Sequence, residues 1–116
     1  MRPWKRSLER LKQNKIYSLI GIAMRGRNVV SGEFASQAAV KSGTAALVIV
    51  ADNASENTKK LFSNKCSFYQ VPYYVYGTKE ELGHAMGKDL RSSLAVTDSG
   101  IAQAMIKQLE ELETRR

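Results

Sequence analysis

The feature that most constrains the fold is an apolar run, TAALVIVA, at residues 44–51. Its side chains are apolar almost throughout instead of alternating with polar ones, which is typical of a strand covered on both faces. We therefore predict a central strand at this position. Residues 29–30, 71–77 and 92–98 form three further predicted strands, because they are rich in Val, Ala and Tyr and are bounded by turn residues.

Helical patterns fill the segments between these strands. Gly43 is placed to end one helix, and Thr78 begins another, with Glu81 at the fourth position of a capping box. The predicted helix at residues 52–66 turns Leu61 and Phe62 inward. Strands that alternate with helices predict an α/β domain with a parallel or mixed sheet and helices on both faces. The remaining helices are predicted at residues 15–25, 33–42 and 99–113, and a short one at residues 4–12 from the spacing of Trp4, Leu8 and Leu11.

Size and composition favour one intracellular domain. A chain of 116 residues is the length of a single domain with a real core. No apolar run approaches the roughly 18 residues of a membrane span, and the N-terminus lacks the apolar region of a signal peptide. The single cysteine, Cys66, fits a reducing compartment. We therefore expect a cytoplasmic protein.

The net charge of +7 is concentrated in the first third of the chain. Residues 1–41 hold nine Lys and Arg against two acids, whereas residues 42–116 hold nine of each. A one-ended basic excess indicates a polyanionic partner, usually nucleic acid or an acidic membrane surface, although a merely solubilising surface is the alternative. We treat residues 1–14 as a basic N-terminal extension and residues 15–116 as a single domain.

Catalytic chemistry has little support in the sequence. His84 is the only histidine and has no cysteine or carboxylate at metal-ligand spacing, so a structural role is favoured. Cys66 is predicted to be a small buried residue, and Asp52 and Asp98 are predicted to cap the helices that follow them. The chain has neither a P-loop nor a glycine-rich dinucleotide motif. No catalytic residue, metal site or cofactor is therefore expected.

The segment VVSGEFASQAAVKSG at residues 29–43 predicts a strand, a turn at Ser31-Gly32 and a helix. Helical spacing places Phe34, Gln37, Ala38 and Lys41 on one face, and Ser36, Ala39, Val40 and Gly43 on the other. If the small residues pack on the sheet, the first face looks outward beside Arg25 and Arg27. An exposed aromatic ring, an amide and three cations suit RNA. The alternative is that Phe34 enters the core, and Glu33 in the first turn favours it by repelling phosphate.

The tyrosines of the predicted strand VPYYVYG have two possible roles, packing in the sheet or stacking on RNA bases. Tyr73, Tyr74 and Tyr76 are suited to stack on bases, but aromatic side chains also favour strands. We favour packing in the sheet for all three.

Four segments together resemble the kink-turn RNA-binding ribosomal protein family, which includes the large-subunit proteins called seven-Ae and thirty-e. They are KIYSLIGIAMRGRNVVSGEFA, ALVIVADNASENTKKLFSNKC, VPYYVYGTKEELGHAMGK and SLAVTDSGIA. The resemblance covers about residues 15–110 and is greatest to the small bacterial, YlxQ-type members. It implies a three-layer α/β/α sandwich with a central mixed four-stranded sheet.

The resemblance also implies an RNA-binding function. Family members bind sharply bent RNA at a glycine turn, at the start of the helix after it, and at the loop before the last strand. Here these are Ser31-Gly32, the helix from Glu33 and the segment GKDLRSS at residues 87–93. The implied partner is ribosomal RNA or a kink-turn-containing RNA, bound by a monomer. The candidate RNA-binding residues are Arg25, Arg27, Ser31, Gly32, Glu33, Phe34, Gln37, Lys41, Lys88, Leu90 and Arg91.

The sequence departs from the family pattern within this site. Strong binders have Asn, Glu and Lys after the glycine, where this chain has Phe34, Ala35 and Ala38. The first two of those family residues read guanine edges, which Phe and Ala cannot do. The departure implies weaker binding or a different RNA shape. A protein–protein adaptor that uses Phe34 as part of an apolar patch is the alternative function, and an enzyme ranks last.

Overall fold

The computed structural model describes residues 15–113, which form a mixed sheet between two layers of helices. The strands are β1 (Val29–Ser31), β2 (Leu47–Val50), β3 (Tyr73–Val75) and β4 (Ser93–Val96). The helices are α1 (residues 15–25), α2 (Glu33–Ser42), α3 (Glu56–Tyr69), α4 (Lys79–Ala85) and α5 (Ser99–Glu113). The predicted helix at residues 4–12, with the whole of the 1–14 extension, lies outside the described residues.

The sheet has the order β1-β4-β2-β3. Strands β2 and β3 are parallel, whereas β4 is antiparallel to both β1 and β2. Helices α2 and α3 pack side by side on one face, and α5 packs on β2 and β4. These observations confirm the predicted three-layer α/β/α sandwich with a mixed four-stranded sheet.

The predicted central strand is central but shorter than the apolar run. All four residues of β2 are fully buried between the helix layers. Thr44 and Ala45 are not part of the strand, because their N–H groups donate to the carbonyl oxygen of Ala39 at 3.0 and 3.1 Å. They complete the end of α2, where Gly43 has the left-handed φ of 79°. The run therefore divides between a helix end and a strand.

Helix α3 is the element whose bounds were predicted least well. It begins at Glu56 because the Ser55 hydroxyl accepts from the Thr58 N–H at 3.1 Å, so the prediction that Asp52 caps this helix is wrong. The helix also continues beyond residue 66 to Tyr69. The other predicted cap is confirmed, since the Asp98 carboxylate accepts from the Ile101 N–H at 2.8 Å.

The remaining local predictions are largely confirmed. Helix α2 has the predicted bounds, and the capping box of Thr78 and Glu81 begins α4. Phe62 points into the core as predicted, but Leu61 is only half-buried. The three tyrosines of the aromatic segment, Tyr73, Tyr74 and Tyr76, pack partly buried against the core. No helix among residues 15–113 has the length and apolar character that crossing a membrane requires.

The strand directions decide which loops meet. Because β1, β2 and β3 run in the same direction, their carboxyl ends share one end of the sheet. We call this the near end. It carries the starts of α2, α3 and α4 and the loop that enters β4. The carboxyl ends of α2 and α3 lie at the opposite end, which we call the far end.

Candidate RNA interface

The start of α2 is an open backbone turn. Gly32 has a φ of 95°, which a residue with a side chain rarely adopts, and no atom lies within 4 Å of the position a Cβ would take. No side chain caps the helix, so its first N–H groups lack the partner that Ser or Asp at the cap position would supply. An acceptor from another molecule can therefore approach this backbone closely.

The side chains of α2 divide into a face buried against the sheet and an outer face, as the helical spacing predicted. Ser36, Ala39 and Val40 are buried against the sheet. Phe34 is 88% exposed, which rules out the alternative that it enters the core. Gln37 is half-buried one turn further along the same outer face. An almost fully exposed phenyl ring beside an uncapped helix start is a feature that folding does not require.

The loop between α4 and β4, residues 86–92, is held down by backbone hydrogen bonds. The Lys88 N–H donates to the Gly83 carbonyl at 2.8 Å, and the Arg91 N–H donates to the Lys79 carbonyl at 3.1 Å. Between these two anchors the side chains of Lys88 and Leu90 point outward, and Leu90 is 55% exposed. Helix α4 is thus the support on which the loop is seated.

Arg91 joins the loop to the start of α2. Its Nε donates to the Ser31 hydroxyl at 3.3 Å, and one terminal nitrogen donates to the Leu90 carbonyl at 2.8 Å. The Gly32 N–H in turn donates to the Ser93 carbonyl at 3.0 Å. Two segments about 60 residues apart in sequence therefore form one surface. We call it the glycine-turn surface, and it comprises Ser31, Gly32, Glu33, Phe34, Lys88, Leu90 and Arg91.

The other predicted residues do not all reach this surface. Arg25 lines a shallow groove with Met86 and Gly87, next to the loop. Arg27 lies before β1, at the far end, where the neighbouring Asn28 carbonyl accepts from Thr97. Lys41 is also at the far end, about 12 Å along the axis of α2 from Glu33. Arg27 and Lys41 therefore lie at the end of the molecule opposite the start of α2, although Lys41 shares the outer face of that helix with Phe34 as predicted.

The charge of the glycine-turn surface is balanced rather than strongly basic. Lys88 and Arg91 supply two cations, and Glu33 and Asp89 supply two carboxylates on the same segments. Recognition at this surface must therefore depend on where the donors are placed more than on net charge. The Arg91 guanidinium is the best placed, because its two hydrogen bonds hold it at the start of α2.

Neither the cysteine nor the histidine of the chain belongs to the glycine-turn surface. Cys66 is buried in α3, and burial raises the pKa of its thiol to about 11. His84 is exposed on α4, in an open groove with Tyr17, Glu80 and Glu81. No three His, Cys, Asp or Glu side chains within residues 15–113 come together as a metal site.

Two residues that matter for this surface were not found from the sequence. Gly83 and Lys79 accept the hydrogen bonds that seat the loop, through backbone oxygens that no side-chain pattern marks. The only available signal was a glycine inside a helical segment, which often has a packing reason.

A mixed sheet between helix layers, with a glycine turn and a supported loop exposed at one end, defines a class of small α/β/α sandwich proteins. Residues 14–106 match the model of one family within this class. The chain belongs to the ribosomal protein L7Ae/L30e/S12e/Gadd45 family.

Individual relatives agree with this assignment. The chain is 39% identical to the RNA-binding protein YlxQ of Bacillus subtilis over 94 residues, which cover 81% of this chain and 94% of that protein. It is 30% identical over 95 residues to the large ribosomal subunit protein eL30 of Tetrahymena thermophila, covering 80% and 91% of the two chains. These relatives are named as RNA-binding or ribosomal proteins and not as enzymes.

Solved structures share the fold. A protein of unknown function from Bacillus halodurans superposes with a TM-score of 0.81 at 36% identity, covering 83% of this chain and 97% of that one. A 15.5 kD RNA binding protein from Giardia lamblia superposes with a TM-score of 0.74 at 20% identity, covering 87% and 89%. The second likeness extends to the fold alone.

Proposed function

We propose that this chain is a non-enzymatic RNA-binding protein of the cytoplasm that takes structured RNA, either ribosomal or kink-turn-like, at the glycine-turn surface. The observation that carries the proposal is the hydrogen bond from Arg91 to Ser31, which joins the open turn and the loop into one surface. The names of the relatives support RNA as the partner and do not favour a protein–protein adaptor.

Each part of the surface has a physical role in this proposal. The uncapped N–H groups at the start of α2 and the Arg91 guanidinium donate to phosphate oxygens. Phe34 and Leu90 offer apolar area on which an unpaired base can stack or pack. The surface thus combines backbone recognition with stacking, and Phe34 and Ala35 stand at the two positions where strong binders of the family have the Asn and Glu that read guanine edges.

The test is a titration of the protein with a kink-turn RNA and with a control RNA whose tandem G·A pairs are disrupted. We expect both to bind, with less than about tenfold preference for the first, because each missing edge-reading pair removes roughly 1–3 kcal/mol of discrimination. A fourfold rise in salt should weaken binding about tenfold, as expected for two or three phosphate contacts.

Two results would count against the proposal. Absence of binding to either RNA at low salt would refute RNA binding at this surface. A preference above about a hundredfold for the intact kink-turn would contradict the expected preference of less than about tenfold. It would mean that the backbone turn and the loop suffice for kink-turn recognition.

A further inference from the structure

The far end of the α2–α3 layer carries two lysines in contact. The side chains of Lys41 on α2 and Lys65 on α3 meet where the two helices pack together. Partial desolvation and the facing Lys41 ammonium both lower the pKa of Lys65. Two cations held this close repel each other, and an anion between them would remove that repulsion.

Carboxylates are arranged away from this pair. The acids of α2 and α3 are Glu33 and Glu56, each in the first turn of its helix and so at the near end. Glu56 contacts Lys59 at 3.8 Å, also in the first part of α3. Within residues 15–113 neither Lys41 nor Lys65 forms an ion pair. The far-end halves of these two helices thus present uncompensated positive charge.

An exposed aromatic pair lies next to the lysines. Phe68 is 78% exposed and Tyr69 is 42% exposed, and their rings meet edge to face with centroids 4.9 Å apart. Both follow Lys65 by one helical turn, at the spacings that bring side chains together on a helix surface. The core contacts of α3 are made by Phe62 and Cys66, so folding does not require Phe68.

We propose that Lys41, Lys65, Phe68 and Tyr69, which we call the lysine–aromatic patch, bind a single-stranded segment of RNA. A phosphate between the two ammonium groups would remove their repulsion, and a base stacked on the Phe68 ring would cover its exposed apolar area. An acidic peptide would engage the lysines but would use the exposed ring only where it carried an aromatic residue, whereas every nucleotide of an RNA carries a base that can stack there.

The patch is separate from the glycine-turn surface. Lys41 lies about 12 Å from Glu33 along the axis of α2, so the two surfaces occupy opposite ends of that helix. The inference rests on the proposed function only in taking RNA as the class of partner, because the patch has its own residues and its own test.

The test uses the full chain and a fluorescent oligouridine of about twelve nucleotides, within the site size of single-strand binders. We expect Lys41→Gln combined with Lys65→Gln to lower its affinity about tenfold and to reduce the logarithmic salt slope by about 0.7, since the phosphate held between the two lysines is lost. Phe68→Ala should lower the affinity at least fivefold, as the loss of one stacked base predicts.

Matched controls lie elsewhere on the same chain. Lys107→Gln on α5 removes an exposed charge, and Ile22→Ala on α1 removes an exposed apolar side chain that belongs to neither surface. Both should leave oligouridine binding unchanged. All the substituted side chains are exposed or half-buried, and an unchanged melting temperature will show that the variants are folded.

The outcomes separate the two proposals. The lysine–aromatic patch is overturned if oligouridine does not bind, or if it binds equally well to wild type and to the patch variants. This holds whether or not the structured RNA binds. Oligouridine binding that needs the patch, with no binding of structured RNA, supports the patch and refutes the glycine-turn surface. Capture of an acidic peptide in place of oligouridine would also overturn the inference.

Discussion

Replacing Gly83 by alanine is expected to lower the free energy of unfolding by about 3 kcal/mol or more, the upper part of the range for overpacking a buried position. The new Cβ would overlap the carbonyl oxygen of Asp89 and lie 2.6 Å from the Asp89 carbonyl carbon. These are backbone atoms, so no side-chain rotation relieves the overlap. The loop must move away from α4, which breaks the hydrogen bonds that Lys88 and Arg91 make to it. Urea denaturation measures the stability change, and titration with structured RNA should show weaker binding as well.

Gly21→Ala is the matched control for this experiment. Gly21 lies in α1 and faces the same helix, but its Cβ would meet nothing nearer than the Ala85 carbonyl oxygen, at 3.7 Å. Because alanine favours a helix interior over glycine, we expect this variant to be as stable as wild type or more stable by about 0.5–1 kcal/mol. If Gly83→Ala were equally harmless, the loop would not be seated on α4 as described.

Arg91→Ala should weaken the binding of structured RNA by tenfold or more while leaving the fold intact. A hydrogen bond to a charged group contributes about 1.5–3 kcal/mol, and the half-buried guanidinium both faces the RNA and ties the loop to Ser31. The logarithmic salt slope should also fall by about 1, because one phosphate contact is lost. Fluorescence anisotropy at several salt concentrations gives both quantities.

Arg91→Lys distinguishes the two roles of this residue. Lysine keeps the charge but cannot keep both the bond to Ser31 and a fork of donors toward phosphate. We expect it to restore the salt slope and only part of the affinity. Lys107→Ala on α5 removes an exposed charge from outside the surface and should change neither. Wild-type affinity in Arg91→Ala would show that RNA binds elsewhere on the chain.

Local chemistry explains why some elements were predicted well from the sequence. Helix α2 has the predicted bounds because Ser31-Gly32 favours a turn and Gly43 favours a helix end. The orientation of Phe34 followed from helical spacing, since the opposite face is made of residues small enough to pack on the sheet. The central strand was evident from its apolar run, although the first residues of that run belong to the end of α2.

Other features depend on contacts between distant segments, which no local pattern contains. The segment DNAS at residues 52–55 offers three capping residues in four positions, and the choice is decided by α4. The Asn53 side chain accepts from the Lys79 N–H at 2.9 Å, which leaves Ser55 as the cap of α3. The meeting of Lys41 with Lys65 likewise follows from the packing of two helices. The importance of Gly83 follows from a loop that folds back over it.

The bond between Asn53 and Lys79 has a consequence for recognition. It fixes the start of α4 to the segment that leaves the central strand, and the Asp52 N–H reinforces this by donating to the Gly77 carbonyl at 2.7 Å. The exposed loop is therefore connected to the fully buried strand β2 through a short series of backbone and side-chain bonds. A binding partner finds this loop already ordered, so little conformational entropy is lost on association. A surface held in this way is expected to change its own shape little on association.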